Sequence, residues 1–286
     1  MMLRTILVSG LALFLFSHIC YSQNLQGTTY AQAMEARKGT LVYTYVTTPG
    51  FAEQNTSGTL EGLSVEIMDA FRAWVKDEKG ILLESSVQTR GNASVFPNFM
   101  RNINQAQGGV FGLGNITITP ERKQSYRMSS SILPNVSVMI TNNRVPTLQS
   151  MSELSETFAG FTCYVVKGTT NAKRMRGLAD QYYPGLKIVE VETSEESLQL
   201  VAGDAKSFTN LDFTYYIAIF KRGLPIKRHP AGDSSDEQLG IIMPKSNDWA
   251  PLLDEFLASG FLESGEYRSI LTKHLHRDIL AILDSL

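Results

Sequence analysis

Arg122 has the clearest potential for chemistry, because it follows a turn where a strand meets a helix in GNITITPERKQSYRMSS, residues 114–130. Thr119 is a good helix cap, and Pro120 suits the first helical position after it. Arg122 then falls in the first helical turn, beside free backbone N–H groups that carry partial positive charge. A cation there either pairs with a surface carboxylate, such as that of Glu121, or clamps an anionic ligand.

Two other predicted strand ends carry polar residues of complementary kinds. In VVKGTTNAKR, Gly168 lets a ligand approach the backbone, and Thr169 or Thr170 caps the next helix with a hydroxyl that can also donate to a carboxylate. In SFTNLDFTYY, Asp212 ends a strand just before an aromatic helix. Each site can be an ordinary helix cap, and Asp212 can instead pair with an ammonium group.

The three sites together offer a cation at Arg122, a donor-rich helix end at Thr170 and an anion at Asp212. This set complements a zwitterion, since a guanidinium pairs with a carboxylate and a carboxylate pairs with an ammonium group. Each signal is weak by itself. Their combination predicts that the protein binds a small zwitterion.

The elements that position these residues are strands and helices that alternate along the chain. Segments of helical spacing alternate with strand-like segments, which include GTLVYTYVTT, ILLESSVQT, VFGLGNITI, FTCYVV and KSFTNLD. The last predicted strand is QLGIIMP, residues 238–244, and residues 248–285 are expected to be helical with breaks near Gly260 and Gly265. This alternation predicts the α/β class, in which ligands bind beyond the carboxyl ends of strands, where helices begin.

The first residues have the organisation of a secretory leader. Arg4 precedes an almost wholly apolar run from Ile6 to Ile19, and small or polar residues follow. The run is shorter than the ~20 residues that a membrane-spanning helix needs. We expect a signal peptide over residues 1–22, cleaved near Ser22–Gln23, and therefore a periplasmic protein; an uncleaved anchor is the alternative.

Charge and cysteine content exclude several classes of function. The formal net charge is −2, without the basic excess of a nucleic-acid-binding protein. Once the leader is removed, Cys163 is the only cysteine, so no internal disulfide can form, and its apolar strand context predicts a buried residue and not a nucleophile. Nothing in the pattern indicates a cofactor, and the isolation of His229 argues against a metal site.

Several segments occur in the order seen in one family of exported proteins. They are GTLVYTYVTTPGF, LEGLSVEIMDAF, NITITPERKQSYRMSS, VVKGTT and SGEYRSILTKHL. From about Gly39 to about Leu275, the chain resembles solute-binding protein family 3, the periplasmic substrate-binding proteins of polar amino acid ABC transporters. The Thr-Ile-Thr-Pro-Glu-Arg element is the most specific part of the resemblance.

The resemblance implies a two-lobed periplasmic-binding-protein fold of type II. Each lobe would be a mixed sheet flanked by helices, and two hinge strands would join the lobes. Lobe one would comprise residues 24–139 and 242–286, and lobe two residues 140–241. The hinge crossings would lie near Val138–Thr141 and Leu239–Ile242.

The resemblance also implies roles for the polar residues at the strand ends. Arg122 would clamp the α-carboxylate of the ligand with help from Thr117. Thr170 would bind the same carboxylate from lobe two, with Thr169 in the same turn. Asp212 would take the α-ammonium group.

Three further positions are candidate ligand contacts by the same resemblance. An aromatic residue of the first loop packs on the ligand side chain in this family, and Tyr45 or Phe51 is the candidate here. Asn115 departs from the family pattern, since it stands where a small or backbone-donating residue is common. We expect Asn115 to influence which ligand is bound.

The implied function is to bind an amino acid or similar zwitterion by hinged closure and to deliver it to an inner-membrane ABC permease. The protein would be a monomer and not an enzyme. One alternative is an enzyme on the same fold, similar to cyclohexadienyl or arogenate dehydratase, in which Glu53 and Lys173 could supply an acid and a second cation. The other alternative is a ligand-sensing module.

Overall fold

The computed structural model describes residues 24–275 and 280–281. The leader predicted for residues 1–22 lies outside the described residues. Over the described ranges, strands and helices alternate, and the predicted α/β class is confirmed. No helix in these ranges is both long enough and apolar enough to cross a bilayer.

Side-chain caps and glycines set the ends of several helices. Thr119, Thr169 and Thr193 each accept a hydrogen bond from a backbone N–H three residues further on. Gly80 ends the second helix in the left-handed conformation, with φ of 65°. The helices of the described chain are α1 (Tyr30–Ala36), α2 (Leu63–Lys79), α3 (Phe96–Gln105), α4 (Pro120–Ser125), α5 (Leu154–Thr157), α6 (Thr170–Tyr182), α7 (Ser194–Gly203), α8 (Phe213–Lys221), α9 (Ala250–Ala258) and α10 (Gly265–His274).

Most strands join one twisted sheet, whose order is β11-β10-β12-β9-β13-β7-β2-β5, with β8 paired to β13. Two short pairs, β1 with β6 and β3 with β4, lie outside it. The strands of the described chain are β1 (Gln26–Gly27), β2 (Lys38–Tyr45), β3 (Glu53–Gln54), β4 (Leu60–Glu61), β5 (Leu82–Val87), β6 (Gln107–Gly108), β7 (Val110–Thr117), β8 (Arg127–Met128), β9 (Leu133–Asn142), β10 (Thr162–Val166), β11 (Lys187–Val191), β12 (Ser207–Asp212) and β13 (Ile226–Met243).

The pairing directions divide the sheet into two parallel groups. On one side β2 runs parallel to β5 and β7, and on the other β10 runs parallel to β11 and β12. The long strands β9 and β13 lie between these groups and pair antiparallel with each other. The groups are the two lobes, and β9 and β13 connect them.

Apolar side chains pack on both sides of the sheet, and the largest cluster includes residues of both parallel groups. In α2 the buried side chains of Ile67, Phe71 and Val75 recur at helical spacing. The Phe71 ring meets the Trp249 ring edge-on with centroids 6.3 Å apart. In the other lobe Cys163 is fully buried in a cluster of apolar side chains, as predicted, and burial raises its thiol pKa. The thiol therefore stays protonated and inert.

Strand β13 is much longer than the predicted strand at residues 238–244. It begins at Ile226, and its first part includes proline, glycine and several polar residues, which in the sequence resemble a loop. Register shifts occur between His229 and Ser234 and between Ser234 and Glu237, so the strand keeps pairing with β9 by bulging around these residues.

His229 is part of this bulged strand and not a metal ligand. Its Nδ1 accepts a hydrogen bond of 3.0 Å from the Leu148 backbone N–H, and its Nε2 lies 2.6 Å from Thr141 Oγ1. Burial lowers the pKa of His229 to about 4, so the ring is neutral at physiological pH. In the described chain no group of three or more His, Cys, Asp or Glu side chains could hold a metal ion.

Candidate functional site

One cavity lies between the two lobes, where strands β7, β10 and β12 end and helices α4, α6 and α8 begin. Its volume is about 40 Å³. Strand ends followed by helix starts are the expected place for a ligand in an α/β sheet. The cavity lining includes six of the predicted residues, namely Asn115, Thr117, Arg122, Thr169, Thr170 and Asp212.

The first turn of α4 holds Arg122 in a defined position. Thr119 Oγ1 accepts the Arg122 backbone N–H at 3.1 Å, and the Arg122 guanidinium donates to the Thr117 carbonyl at 2.7 Å. The guanidinium also lies over the Phe96 ring, 5.2 Å from its centroid. These contacts are all with uncharged groups, so the positive charge of Arg122 remains available to a ligand anion.

Burial sets the electrostatic state of Arg122. Burial lowers the pKa of the guanidinium, whereas the nearby carboxylates of Glu237 and Asp212 raise that pKa. None of the ion pairs among the described residues includes Arg122. A partly buried arginine without a direct ionic partner is well suited to bind an anion.

Asp212 lies at the end of β12 and is held by three asparagine side chains. Asn135 and Asn171 donate to Asp212 Oδ1 at 2.9 and 3.2 Å, and Asn115 donates to Oδ2. Burial raises the pKa of Asp212 to about 6, while the bonds from Asn135 and Asn171 lower it. The ionised carboxylate therefore costs desolvation energy that a cationic partner would offset.

Asn115, which departs from the family pattern, has a specific role in this arrangement. Its amide donates across the cleft to Asp212, and its Oδ1 lies 3.0 Å from Thr48 Oγ1, which donates to it. A small residue at this position could not make these bonds. Asn115 therefore ties the end of β7 to the carboxylate of the other lobe.

The turn between β10 and α6 provides hydroxyl groups opposite Arg122. Gly168 has φ of 76°, which a residue with a side chain would rarely adopt. Thr169 caps the helix by accepting the Ala172 N–H at 3.2 Å. This leaves the Thr170 hydroxyl pointing at Thr117, with the two oxygens 3.3 Å apart. The two hydroxyls thus meet from opposite lobes.

Two residues of the connecting strands belong to the same network and were missed by sequence reasoning. Asn135 on β9 donates to both Asp212 and Glu237 at 2.9 Å. Glu237 on β13 also accepts from Thr117 Oγ1 at 3.2 Å. No local pattern marks either residue, because each becomes part of the site only when β9 and β13 pair.

Asn171 was also missed, although its place could have been found. It follows Thr170 in the first turn of α6, next to two residues that the sequence already placed at the site. Its amide donates to Asp212, but its Oδ1 is buried without a hydrogen-bond partner. An unpaired buried acceptor in the cavity lining is suited to an N–H donor such as an ammonium group.

Further contacts join the two lobes around the cavity. Lys173 on α6 forms an exposed ion pair of 2.5 Å with Glu121 on α4. The Tyr215 hydroxyl, from α8, donates to the Thr47 carbonyl at 3.1 Å and approaches Thr48 Oγ1 at 3.3 Å. The cleft is therefore closed over the cavity in this structure.

The predicted aromatic contact is corrected by the structure. Tyr45 and Phe51 are buried in the apolar core of the first lobe and do not line the cavity. The aromatic side chains at the cavity are Phe96, at the start of α3, and Tyr215, in the first turn of α8. Tyr45 ends β2 and belongs to the same apolar cluster as Ile67 and Phe71 of α2.

Comparisons with known proteins agree with this architecture. No protein-family model and no curated protein matches the chain. Among solved structures, an ancestral arginine-binding protein bound to arginine is 19% identical, with a TM-score of 0.65, over 83% of this chain and 98% of that chain. The arginine-, lysine-, histidine-binding protein ArtJ from Geobacillus stearothermophilus is 20% identical, with a TM-score of 0.64, over 82% and 95%.

A third solved structure is the ancestral amino acid-binding protein AncCDT-1, a precursor of cyclohexadienyl dehydratase. It is 18% identical, with a TM-score of 0.62, over 86% of this chain and 99% of that chain. At these identities the likeness concerns the fold. The chain therefore has the two-lobed periplasmic-binding-protein fold of type II that the sequence predicted.

Proposed function

We propose that this protein is a non-enzymatic solute-binding protein of family 3 that binds an α-amino acid between its lobes. The observation that carries the proposal is the separation of charge in the cavity. Asp212 is buried and Arg122 is partly buried, and each is bonded only to uncharged groups. A zwitterion supplies the two missing counter-charges at once.

The individual roles follow from the chemistry of each group. Arg122 takes the α-carboxylate, with the Thr170 hydroxyl as an additional donor from the opposite lobe. Thr117 assists once its hydroxyl turns from Glu237 toward the ligand. Asp212 and the unpaired Oδ1 of Asn171 take the α-ammonium group. Because the ligand then contacts both lobes, it favours the closed conformation over the open one.

The cellular context of the proposal rests on the leader and on the fold. Residues 1–22 would direct export to the periplasm, where the protein would act as a monomer and pass its ligand to an inner-membrane ABC permease. The proposed lobes are residues 24–139 with 242–286, and residues 140–241. The binding of amino acids by the structurally similar proteins supports this context.

The dehydratase alternative is not carried forward. Glu53, the candidate acid, accepts a hydrogen bond from the Gly50 backbone N–H in the first loop. Lys173, the candidate second cation, is exposed and paired with Glu121. Both residues lie outside the cavity lining. Incubation with prephenate or arogenate tests this directly, and formation of a dehydrated product would revive the alternative.

A thermal-shift screen against the standard L-amino acids tests the proposal. A ligand present at 100 times its Kd adds about 2.7 kcal/mol to the free energy of unfolding. We expect at least one amino acid to raise the melting temperature of the wild-type protein. Arg122→Ala should weaken binding of that ligand by more than about 30-fold, because truncating one partner of a buried charge pair costs at least about 2 kcal/mol. At the same ligand concentration the added free energy of unfolding should then fall below about 0.9 kcal/mol.

A matched arginine outside the cleft provides the control. Arg176 pairs with Glu190 on the surface of the second lobe, where both side chains are about half exposed. Arg176→Ala should keep the full ligand-induced shift. If none of the L-amino acids stabilises the wild-type protein, or if Arg122→Ala responds as the wild type does, the proposal is wrong.

A further inference from the structure

A second cavity of about 120 Å³ adjoins the one that holds Arg122 and Asp212. The two share the side chains of Ser94, Ser194 and Tyr215. We name the first the head-group cavity and the second the side-chain cavity. Their common wall makes them neighbouring compartments of one cleft.

The head-group cavity is too small for a whole amino acid with an extended side chain. Its volume of about 40 Å³ corresponds to roughly three water molecules, at about 10–15 Å³ for each. With its carboxylate at Arg122 and its ammonium at Asp212, a ligand has no room there for a long side chain. The side chain must pass the shared wall at Tyr215 into the larger compartment.

Most of the wall of the side-chain cavity is uncharged. Its hydroxyl and apolar surface comes from Thr47, Pro49, Leu198 and Ala218. The Tyr215 hydroxyl donates to the Thr47 carbonyl at 3.1 Å, so it is already engaged. A polar, uncharged side chain can bond to the remaining hydroxyl groups of such a wall.

The two charged residues of this cavity neutralise each other. Arg222 donates to both carboxylate oxygens of Glu195, at 2.8 and 3.0 Å. Gln199 also donates to Glu195 at 2.8 Å. A cationic ligand side chain would have to displace Arg222, and an anionic one would have to displace Glu195. Without such displacement, either would lose water without gaining a counter-charge.

We propose, building on the amino-acid-binding function above, that the side-chain cavity selects uncharged side chains because the Glu195–Arg222 pair cancels its charge. The substrate class is an α-amino acid with an uncharged side chain. Arg222 occupies the carboxylate of Glu195, which would otherwise bind a cationic side chain. Glu195 likewise occupies the guanidinium of Arg222, which would otherwise bind an anionic side chain.

Calorimetric titration of the wild-type protein and of two variants tests the proposal. The wild type should bind an uncharged amino acid more tightly than L-lysine, L-arginine or L-glutamate. Arg222→Met frees Glu195 and should raise the affinity for L-lysine by about fivefold relative to the uncharged ligand. Glu195→Gln frees Arg222 and should raise the affinity for L-glutamate by a similar factor. The modest size reflects the exposure of both side chains, near one half.

A second ion pair of the same lobe serves as a matched control. Arg176 and Glu190 form an exposed pair away from the cleft. Arg176→Met and Glu190→Gln should leave all affinity ratios unchanged. Because the test variants are expected to gain affinity for a ligand, damage to folding cannot imitate the result.

The outcomes separate this inference from the proposed function. If the wild type prefers a charged amino acid, or if neither cleft variant changes the ratio of affinities, the inference is overturned while amino acid binding stands. If the wild type binds no L-amino acid at all, the proposed function fails and the inference falls with it.

Discussion

The charged residues of the two cavities differ in their bonding partners. In the head-group cavity, Arg122 and Asp212 are kept apart, and each is bonded to uncharged groups. In the side-chain cavity, Arg222 and Glu195 are bonded directly to each other and are half exposed. An arginine and a carboxylate are thus bonded to uncharged groups in the first cavity and to each other in the second.

This difference indicates what each cavity is for. A buried charge without a counter-charge costs desolvation energy. Such charges occur at binding sites, where a ligand offsets that energy. An exposed pair contributes little to stability, and removing either partner leaves a charge that water can still solvate. Binding affinity should therefore depend strongly on the separated charges and weakly on the paired ones.

Replacing Asp212 should have a large effect on the affinity for an amino acid. We expect Asp212→Asn to weaken binding by roughly 10- to 100-fold, because a hydrogen bond to a charged group contributes about 1.5–3 kcal/mol. Calorimetric titration with the amino acid measures this loss. A carboxylic acid that lacks the amino group should bind wild type and variant alike, and an equal loss for that compound would contradict the ammonium role.

A change of pH should have a smaller effect, through the same residue. The pKa of Asp212 is raised from 3.8 to about 6 by burial, so the folded protein holds this proton more tightly than the unfolded chain does. Without ligand, Asp212 therefore adds to the free energy of unfolding as the pH falls from about 6 to about 4. This contribution is lost as the pH rises above about 6. Ligand affinity has the opposite sign, because the ammonium group needs the ionised carboxylate.

We expect amino acid affinity to fall by about tenfold between pH 7 and pH 5. Titrations at the two pH values measure this change, and Asp212→Asn should abolish it. Arg122 and Glu237 are the other charged groups that act on Asp212. Glu237→Gln should keep the pH dependence, since burial is the main cause of the raised pKa. A pH-independent affinity in the wild type would contradict the ammonium assignment.

Tyr45 should have the smallest effect on binding. It lies in the apolar core beside the cleft and outside the cavity lining. We expect Tyr45→Phe to change amino acid affinity by less than about twofold, since no bond to a ligand is removed. Calorimetry with the same amino acid measures this effect. A tenfold loss of affinity would restore the original prediction that Tyr45 contacts the ligand.

The predictable parts of the site are those coded by short, local signals. Thr119 with Pro120, and Gly168 with Thr169, are cap and turn signals that act within a few residues, so the sequence locates them well. Asp212 was found because it ends a predicted strand just before an aromatic helix. The α/β class follows from the alternation of these elements along the chain.

The other parts depend on contacts between distant segments. Asn135 and Glu237 reach the network only because β9 and β13 pair, and the bulged first part of β13 resembles a loop in sequence. Phe96 and Tyr215 come to the cavity from two different lobes. Tyr45 and Phe51 were expected in their place because the resemblance puts an aromatic residue of the first loop against the ligand. Local periodicity cannot specify which face of a strand or helix closes against the opposite lobe.

The central claim is that Arg122 holds the α-carboxylate of an amino acid. A thermodynamic cycle tests it, with the bound amino acid and the amine that lacks its carboxylate each titrated into wild type and Arg122→Ala. We predict that removing the carboxylate weakens binding to the wild type by more than about 30-fold and barely changes binding to Arg122→Ala. Equal losses in the two proteins would show that the carboxylate lies elsewhere, and would contradict the account.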